Sequence, residues 1–529
     1  MIAPRITQAN SDVIADLLVI GSGAAGLSCA LRAARAGMSV IVVTNADEPS
    51  ESSSDRAQGG IVARPASDSA EALAADIISA GDGLCNPAAV RLIAESVPEI
   101  VDRFLIGELG VEFSRDATAA LDFTQEAAHS CRRIVHADDA TGHAISERLL
   151  AAAKAEKNIE LLSRHTAVDL ITAPHHSLNP LDVYGDIRCM GAYLLDRSAG
   201  KVTRFFASST VLATGGVGQL YLHTTNPRVA RGDGLAMAFR AGAQIINAEY
   251  VQFHPTAFYH RDADRFLISE SVRGEGAVLR TRAGRDFMPD YHPDGSLAPR
   301  DVVARAIHEE MLKNGDEYAL LDLSPLRVDP RIRFPMIYRT CLQYGLDLTK
   351  EPVPVVPAAH YFCGGVKVDL WGHTNIQQLY AAGEVSCTGV HGANRLASTS
   401  LLEALLWGRR AADDAAGSHR PFDPGRTGEI AYWHDEGLTE AIDPLLVIQD
   451  WMMIKSTMWN YAGIVRTAKR LYRAEADLSY LSHRVEQFYR ETRLSDSLIG
   501  LRNGIIAAQI VAQAARRNPV SRGCHYRRD

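Results

Sequence analysis

The hydrophobic pattern is clearest near the start of the chain. Leu17–Ile20 is an unbroken apolar run between Asp16 and Gly21, which reads as a strand buried on both faces. Ala24–Ala36 follows as an alanine-rich helix ended by Gly37, and Ser39–Val43 is a second apolar strand. Similar runs recur far away: TVLATGG at 210–216 reads as a strand entering a close turn, and LYAAGEV at 379–385 as a strand leaving a sheet. Beyond it, HGANRLASTSLLEAL (391–405) passes from a His and an Arg through a hydroxyl cluster into good helix formers. One of Ser398, Thr399 or Ser400 is expected to cap that helix. The spacing of RDVVARAI, from Arg300, predicts another helix. Residues 173–187 form a Pro/Asn/Gly-rich loop. Residues 421–529 read as helical, with Arg466, Arg470, Arg473, Glu475 and Asp477 on a solvated face.

The first strand–helix–strand unit carries chemistry. Gly21, Gly23 and Gly26 form G-x-G-x-x-G between strand and helix, where glycine lets the backbone turn tightly and approach a pyrophosphate seated on the helix N-terminus. Gly21, Ser22, Gly23, Ala24, Ala25 and Gly26 are therefore candidate dinucleotide-binding residues. The acidic residue usual at the end of the second strand is replaced by Thr44 and Asn45. That weakens an NAD reading more than an FAD one. Strand–Gly signals at 210–216 and 379–384 imply a nucleotide domain split by a long insertion. In 391–405, an Arg that binds carboxylate or phosphate precedes a fresh helix N-terminus that attracts negative charge, so two electron-rich groups are expected to meet there.

With 529 residues the chain exceeds one core, and two or three domains are expected. A net charge of −8 argues against a broad nucleic-acid-binding surface, so any cationic site must be local. No run reaches the ~20 apolar residues of a membrane helix, and the N-terminus lacks a basic segment beside an apolar core. The 8 cysteines include no C-x-x-C pair, which disfavours a disulfide framework, a zinc ribbon or an iron–sulfur cluster. A cytoplasmic protein without metal, membrane or nucleic-acid partner is expected. No repeat or low-complexity tract is present.

Several stretches together resemble the succinate dehydrogenase/fumarate reductase flavoprotein family: AQGGI (57–61), VQFHPT (251–256), ESVRGEG (270–276), HYFCGG (360–365) and 391–402, with MWNYAGIVR (458–466) and SRGCHYRRD (521–529). The likeness runs from Val13 to Asp529 and is nearest to the branch that oxidises L-aspartate. It implies an α/β fold: a Rossmann-like FAD-binding domain (1–247 and 361–420), an inserted α+β capping domain (248–360) and a C-terminal helical domain (421–529). Two features separate the branches. Ser53 stands five residues before Gln58, where membrane-complex dehydrogenases carry the flavin-linking His, so non-covalent FAD is implied. FTQEAAHS (123–130) has Glu126 where respiratory members carry a Phe-Gly-Gly type sequence, although Ala127-Ala128 replace a frequent Gly-Gly.

By this resemblance His360 and Arg395 hold one substrate carboxylate, and His254 and Ser269 the other. Ser269 replaces a usual Thr. Glu126 pairs with the α-ammonium, which a plain diacid lacks. Arg300 transfers a proton with Glu270 as relay and Arg273 beyond it. A guanidinium is a poor base at neutral pH, so this role needs help. Asn45, Ser53, Ser54, Ala57, Gln58, Gly59, Gly60, Asp233 and Glu384 are further flavin contacts. The N–H groups of Ser400 and Leu401 stabilise charge on the reduced ring, and Thr399 replaces a common Asn. The implied activity is oxidation of L-aspartate to iminoaspartate by hydride transfer to FAD. O2 (giving H2O2) or fumarate (giving succinate) reoxidises the flavin. This would be the first step of NAD biosynthesis through quinolinate, with transient contact to quinolinate synthase as the macromolecular partner. The rival readings are a soluble fumarate reductase or succinate dehydrogenase flavoprotein subunit, and a non-catalytic FAD-binding or electron-relay protein.

Overall fold

The computed structural model describes residues 5–6, 12–126, 128–435, 438 and 441–529. Strand β1 (Val13–Ile20), helix α1 (Ala24–Arg35) and strand β2 (Val40–Val43) form the first crossover, with β1 and β2 parallel and Leu17 opposite Val40. Every residue of β2 and Leu17–Ile20 of β1 is buried, because the sheet is covered on both faces. The chain adds β3 (Ile159–Leu162) beside β2, then an antiparallel meander of β4 (His165–Thr172), β5 (Cys189–Asp196) and β6 (Lys201–Leu212). Strand β6 runs parallel to β1, giving the order β3-β2-β1-β6-β5-β4.

The insertion builds its own sheet. Strands β7 (Val251–Phe258), β8 (Val278–Arg280), β9 (Ala319–Asp322) and β10 (Val353–Phe362) pair antiparallel in the order β7-β10-β9-β8. They pack with helices α2 (Glu270–Gly274) and α3 (Arg300–Asn314) around a separate apolar core that includes Phe258, Ile268, Ile307 and Val355. The chain then returns: β11 (Leu379–Ala381) pairs parallel with β6, and α4 (Ser400–Gly417) lies against α1. The two helices approach closely, since a Cβ at Gly408 would lie 2.3 Å from the Ala25 carbonyl oxygen.

Three C-terminal helices follow, α5 (Pro444–Tyr461), α6 (Ala468–Glu491) and α7 (Asp496–Arg517). Leu501, Ile505 and Val511 of α7 share one buried core with Val19 and Val42 of the first sheet. By length and composition α7 is apolar enough to cross a membrane, but 67% of its most apolar window is buried inside the protein, as in a core helix. Its apolar run is broken by Arg502, Asn503, Gln509 and Gln513. The solvated face predicted near α6 holds for Arg470, Arg473 and Asp477 but not for Arg466. Arg466 is fully buried and donates to the carbonyls of Gly463 (2.9 Å) and Glu249 (2.8 Å). Its Nη1 also lies 2.7 Å from His525 Nδ1, while among the described residues its Nη2 has no partner. The loop 173–187 contains short helical turns at Ala173–His176 and Pro180–Tyr184.

Gly26 holds the first crossover together rather than lining the space above it. A Cβ there would lie 1.9 Å from the Gly21 carbonyl oxygen. Gly21 has φ +118° and a site where a Cβ would meet the Ala213 oxygen at 2.1 Å. Gly26→Ala must therefore push α1 off β1. The variant loses about 2 kcal/mol or more of stability, read as a lower urea midpoint.

Candidate active site

A cavity of about 510 Å³ opens above the carboxyl ends of β1, β2 and β6 and is roofed by the inserted unit. Ends of parallel strands are where open α/β sheets bind ligands. Of the candidate residues, Gly21–Ala25, Asn45, Ser53, Ser54, Ala57–Gly60, Glu126, Asp233, His254, Ser269, Glu270, Arg300, His360, Glu384, Arg395, Ser400 and Leu401 all line it. Gly26 and Arg273 do not. Arg273 lies fully buried behind Glu270.

The nucleotide side of the cavity fits a long phosphate- and hydroxyl-bearing ligand such as FAD. The N-cap of α1, Gly23, has no side chain to offer, and Ser54 Oγ accepts from the Ala24 N–H at 3.1 Å instead. No side chain caps α4, which corrects the expected cap. Thr399 Oγ1 donates backwards to the Leu396 carbonyl (2.7 Å), and Ser400 Oγ accepts from Arg395 Nη1 (3.2 Å). The N-terminus of α4 is thus left for negative charge from a ligand. Among the described residues, Thr214 Oγ1 and Gln58 Oε1 are buried without a protein partner. Gly216 is required by Glu384, whose Oε1 would sit 2.2 Å from a Cβ there. Glu384 accepts from the Phe362 N–H (2.9 Å), and burial raises its carboxyl to about 7. Asp233 is committed within the protein: Arg231 (2.9 Å), Asn503 (2.9 Å) and Asn45 (3.3 Å) all donate to it. Nothing acidic stands at Thr44, but Asn45 lies beside this carboxylate.

The other end is a charged pocket. Arg395 comes from the loop before α4. Its guanidinium lies 4.6 Å from the centroid of the Tyr361 ring, and its Nε is buried without a partner among the described residues. Tyr361 is fixed from below, donating to Glu403 Oε2 at 2.8 Å, while His391 (2.8 Å) and Thr388 (2.5 Å) bind the same carboxylate. His254 on β7 and His360 on β10 meet edge to face, with ring centroids 5.3 Å apart. Burial pushes both imidazoles well below their usual value, and neighbouring cations act with it: Arg300 foremost on His254, Arg395 on His360. Both shifts favour the neutral imidazole. The Thr256 N–H donates to His254 Nδ1 (3.2 Å), which leaves Nε2–H as the donor. His360 Nδ1 pairs with Thr225 Oγ1 (2.9 Å). Ser269 caps α2, accepting from the Ser271 N–H at 3.3 Å.

Arg300, at the first position of α3, donates from Nε to Glu270 Oε2, and Arg273 Nη2 lies 3.8 Å from the same oxygen. Burial works against the Arg300 cation, but Glu270 and Glu126 outweigh it and raise its value. Glu126 is buried and accepts from Ser398 Oγ at 2.8 Å. Burial, with help from Glu270, raises its carboxyl against the pull of Arg300, Ser398 and Arg395. Ala127 lies outside the described residues. Ala128 adopts φ +67°, a left-handed conformation that suits glycine better. The loop is nonetheless pinned: His129 Nε2 lies 3.1 Å from the Ala397 oxygen, Ser130 N and Oγ donate to Asp76 at 2.8 Å, and buried Arg133 pairs with Asp68 (2.9 Å) and Asp76.

Sequence reasoning passed over Ser398, Tyr361, Thr225 and the Glu403–His391 pair. Ser398 stood inside the hydroxyl cluster of 391–405, but its strained backbone (φ +59°) and its bond to Glu126 have no signature in one sequence.

Comparison with known proteins bears on the family and the fold. Residues 16–401 match the model of the FAD binding domain family, and residues 452–529 match the fumarate reductase flavoprotein C-terminal family. The L-aspartate oxidase 1 of Ralstonia nicotianae is 46% identical over 97% of this chain and 95% of its own length. A chloroplastic L-aspartate oxidase of Oryza sativa subsp. japonica is 42% identical, covering 97% of this chain and 81% of its own. Among solved structures, the E. coli quinol fumarate reductase FrdA chain superposes with a TM-score of 0.85 at 27% identity, covering 98% of this chain and 92% of that one.

Glu384 makes a pH test of the cavity. Its folded value of about 7 exceeds the ordinary 4.5, so the stability it contributes is complete below pH 4.5 and lost as pH rises through about 7. Glu384→Gln flattens the stability–pH curve of the FAD-free protein across that window, as checked by thermal melts at fixed ionic strength.

Proposed function

The chain belongs to the L-aspartate oxidases of the succinate dehydrogenase/fumarate reductase flavoprotein family, and on that footing we propose how its own residues carry out the oxidation of L-aspartate to iminoaspartate. Bound FAD supplies two-electron acceptance at its ring, with reoxidation by O2 to peroxide or by fumarate to succinate. Ser53 offers no imidazole for attachment, so the flavin is held without a covalent bond.

The rest is the protein's work. Aspartate brings two carboxylates, an ammonium and a C–H bond to be broken. Arg395 and the His360 N–H take one carboxylate; the His254 N–H and Ser269 take the other. The imidazoles suit this task because they are neutral donors: they bind an anion without adding more cationic charge to a pocket that already contains Arg300 and Arg395. Glu126 takes the ammonium. Forming the C=N bond requires loss of the Cα hydrogen with its electron pair and of one N–H proton. The raised carboxyl of Glu126 is suited to receive that proton. Arg300 stays protonated in the resting enzyme. It serves as proton donor when fumarate is the acceptor, with replacement through Nε from Glu270 and then Arg273.

The carboxylate holders come from both sides of the cavity. We assign Arg395 to an FAD-binding unit (1–247 and 361–420), and His254, Ser269, Glu270, Arg300 and His360 to a capping unit (248–360). Closure of one on the other excludes water. The imine product is open to hydrolysis, so transient contact with quinolinate synthase in the cytoplasm would pass it on toward NAD.

One observation carries the amino-acid reading: a buried carboxylate, Glu126, stands in a pocket otherwise built for anions. A plain diacid would face it at a cost. Glu126→Gln lowers kcat/KM for L-aspartate by roughly two orders of magnitude, on the order of the ~3 kcal/mol of a broken buried charge pair, while fumarate reduction survives. Steady-state rates with both substrates decide; equal losses would refute the assignment.

A further inference from the structure

A second cavity, of about 480 Å³, adjoins the first and shares Asn226, Asp264 and Arg265 with it. Its walls hold four cations, Arg228, Arg231, Arg265 and Lys455, and one carboxylate, Asp264. The balance is more lopsided than this tally shows. Arg231 is neutralised by Asp233 and Asp496, each at 2.9 Å. Asp264 is 4.0 Å from Arg228, and both side chains are largely in solvent. Arg265 spends its donors on neutral groups, His223 Nδ1 (3.2 Å) and the His260 carbonyl (2.9 Å), and stacks 4.6 Å from the Tyr259 ring. Lys455 binds only the amide oxygen of Gln219, at 3.1 Å. Among the described residues neither Arg265 nor Lys455 forms an ion pair. Burial, then Arg228, presses the Lys455 ammonium below its usual value.

Under-compensated cations gathered in a recess are unfavourable until an anion joins them. The chain as a whole carries −8 and repels anions at long range. Its substrate and its organic electron acceptor are both anions under the reading above, on which this inference rests. We propose that the second cavity is an antechamber for small dicarboxylates, where Arg228, Arg265 and Lys455 collect them at the wall of the catalytic cavity. The mechanism uses neither Lys455 nor Arg228. Their field acts on arrival and not on chemistry, so its effect scales with the charge of the arriving molecule: fumarate (two negative charges) most, aspartate (net one) less, dioxygen none.

That scaling is the test. The FAD-loaded double variant Lys455→Gln/Arg228→Gln is compared with wild type by stopped-flow at low ionic strength. We expect the second-order rate of reoxidation by fumarate to fall roughly tenfold and that of anaerobic flavin bleaching by L-aspartate to fall less. Reoxidation by O2 and the rates at saturating substrate stay unchanged. The gap closes as salt is added, and Lys455→Arg behaves as wild type. An unchanged fumarate rate, an equal loss with O2, or a fall at saturation would overturn the antechamber. If L-aspartate fails to bleach the wild-type flavin, the substrate reading fails instead, and the fumarate and O2 arms still judge the antechamber.

Discussion

The structure turns on keeping one buried cation free. Arg395 sits under the cavity with its guanidinium on the face of Tyr361 and, among the described residues, no carboxylate in contact. A buried charge costs several kcal/mol to desolvate, and the simple remedy would be an ion pair. The protein instead places Glu403 one layer down, bonded to Tyr361, His391 and Thr388. The carboxylate supports Arg395 through the ring but does not quench it, and the arginine keeps its fork for a ligand. Arg300 is treated in the opposite way: Glu270 touches it directly, as suits the proton exchange proposed for it.

Around that pocket the backbone has to come unusually close to itself. Gly21 approaches Ala213, Gly26 approaches Gly21, Gly60 approaches Val135 and Gly364 approaches Asn247, each at distances where a side chain would collide. These contacts bring the ends of β1 and β6, the Gln58 loop and the start of the β10 return segment into one rim. The N-termini of α1, where Ser54 takes the Ala24 N–H, and of α4, which no side chain caps, open onto the same rim. A cavity with free N–H groups and unpaired hydroxyls is less stable alone than when filled, so cofactor binding contributes to the folded state by mass action.

Much of this was legible in the chain. The first crossover follows from an apolar strand, three glycines and an alanine-rich helix, and the split nucleotide fold from strand–Gly signals at 210–216 and 379–384. Long-range geometry was not legible. Three hydroxyls stand at 398–400, and local rules predicted that one of them would cap α4. In the fold each bonds elsewhere: Ser398 to Glu126, Thr399 to Leu396, Ser400 to Arg395. Arg466 failed for the same reason, since two of its three partners, Glu249 and His525, are distant in sequence. Asp233 lines the cavity as expected, but its bond from Asn503, brought to it by α7, has no signature in the chain.

The role proposed for Glu126 lets one pocket serve both an amino acid and a diacid acceptor. A fixed carboxylate there would exclude fumarate outright. Burial raises the Glu126 carboxyl, and Arg300 and Ser398 pull it down; on the proposal its charge follows what sits opposite. Facing an ammonium, the ionised form is favoured; facing a plain diacid, the protonated form removes the repulsion. The same titration that lets Glu126 take a proton from the amine therefore lets the pocket admit an acceptor without one. On that proposal, discrimination rests on the cost of protonating a single carboxyl rather than on shape.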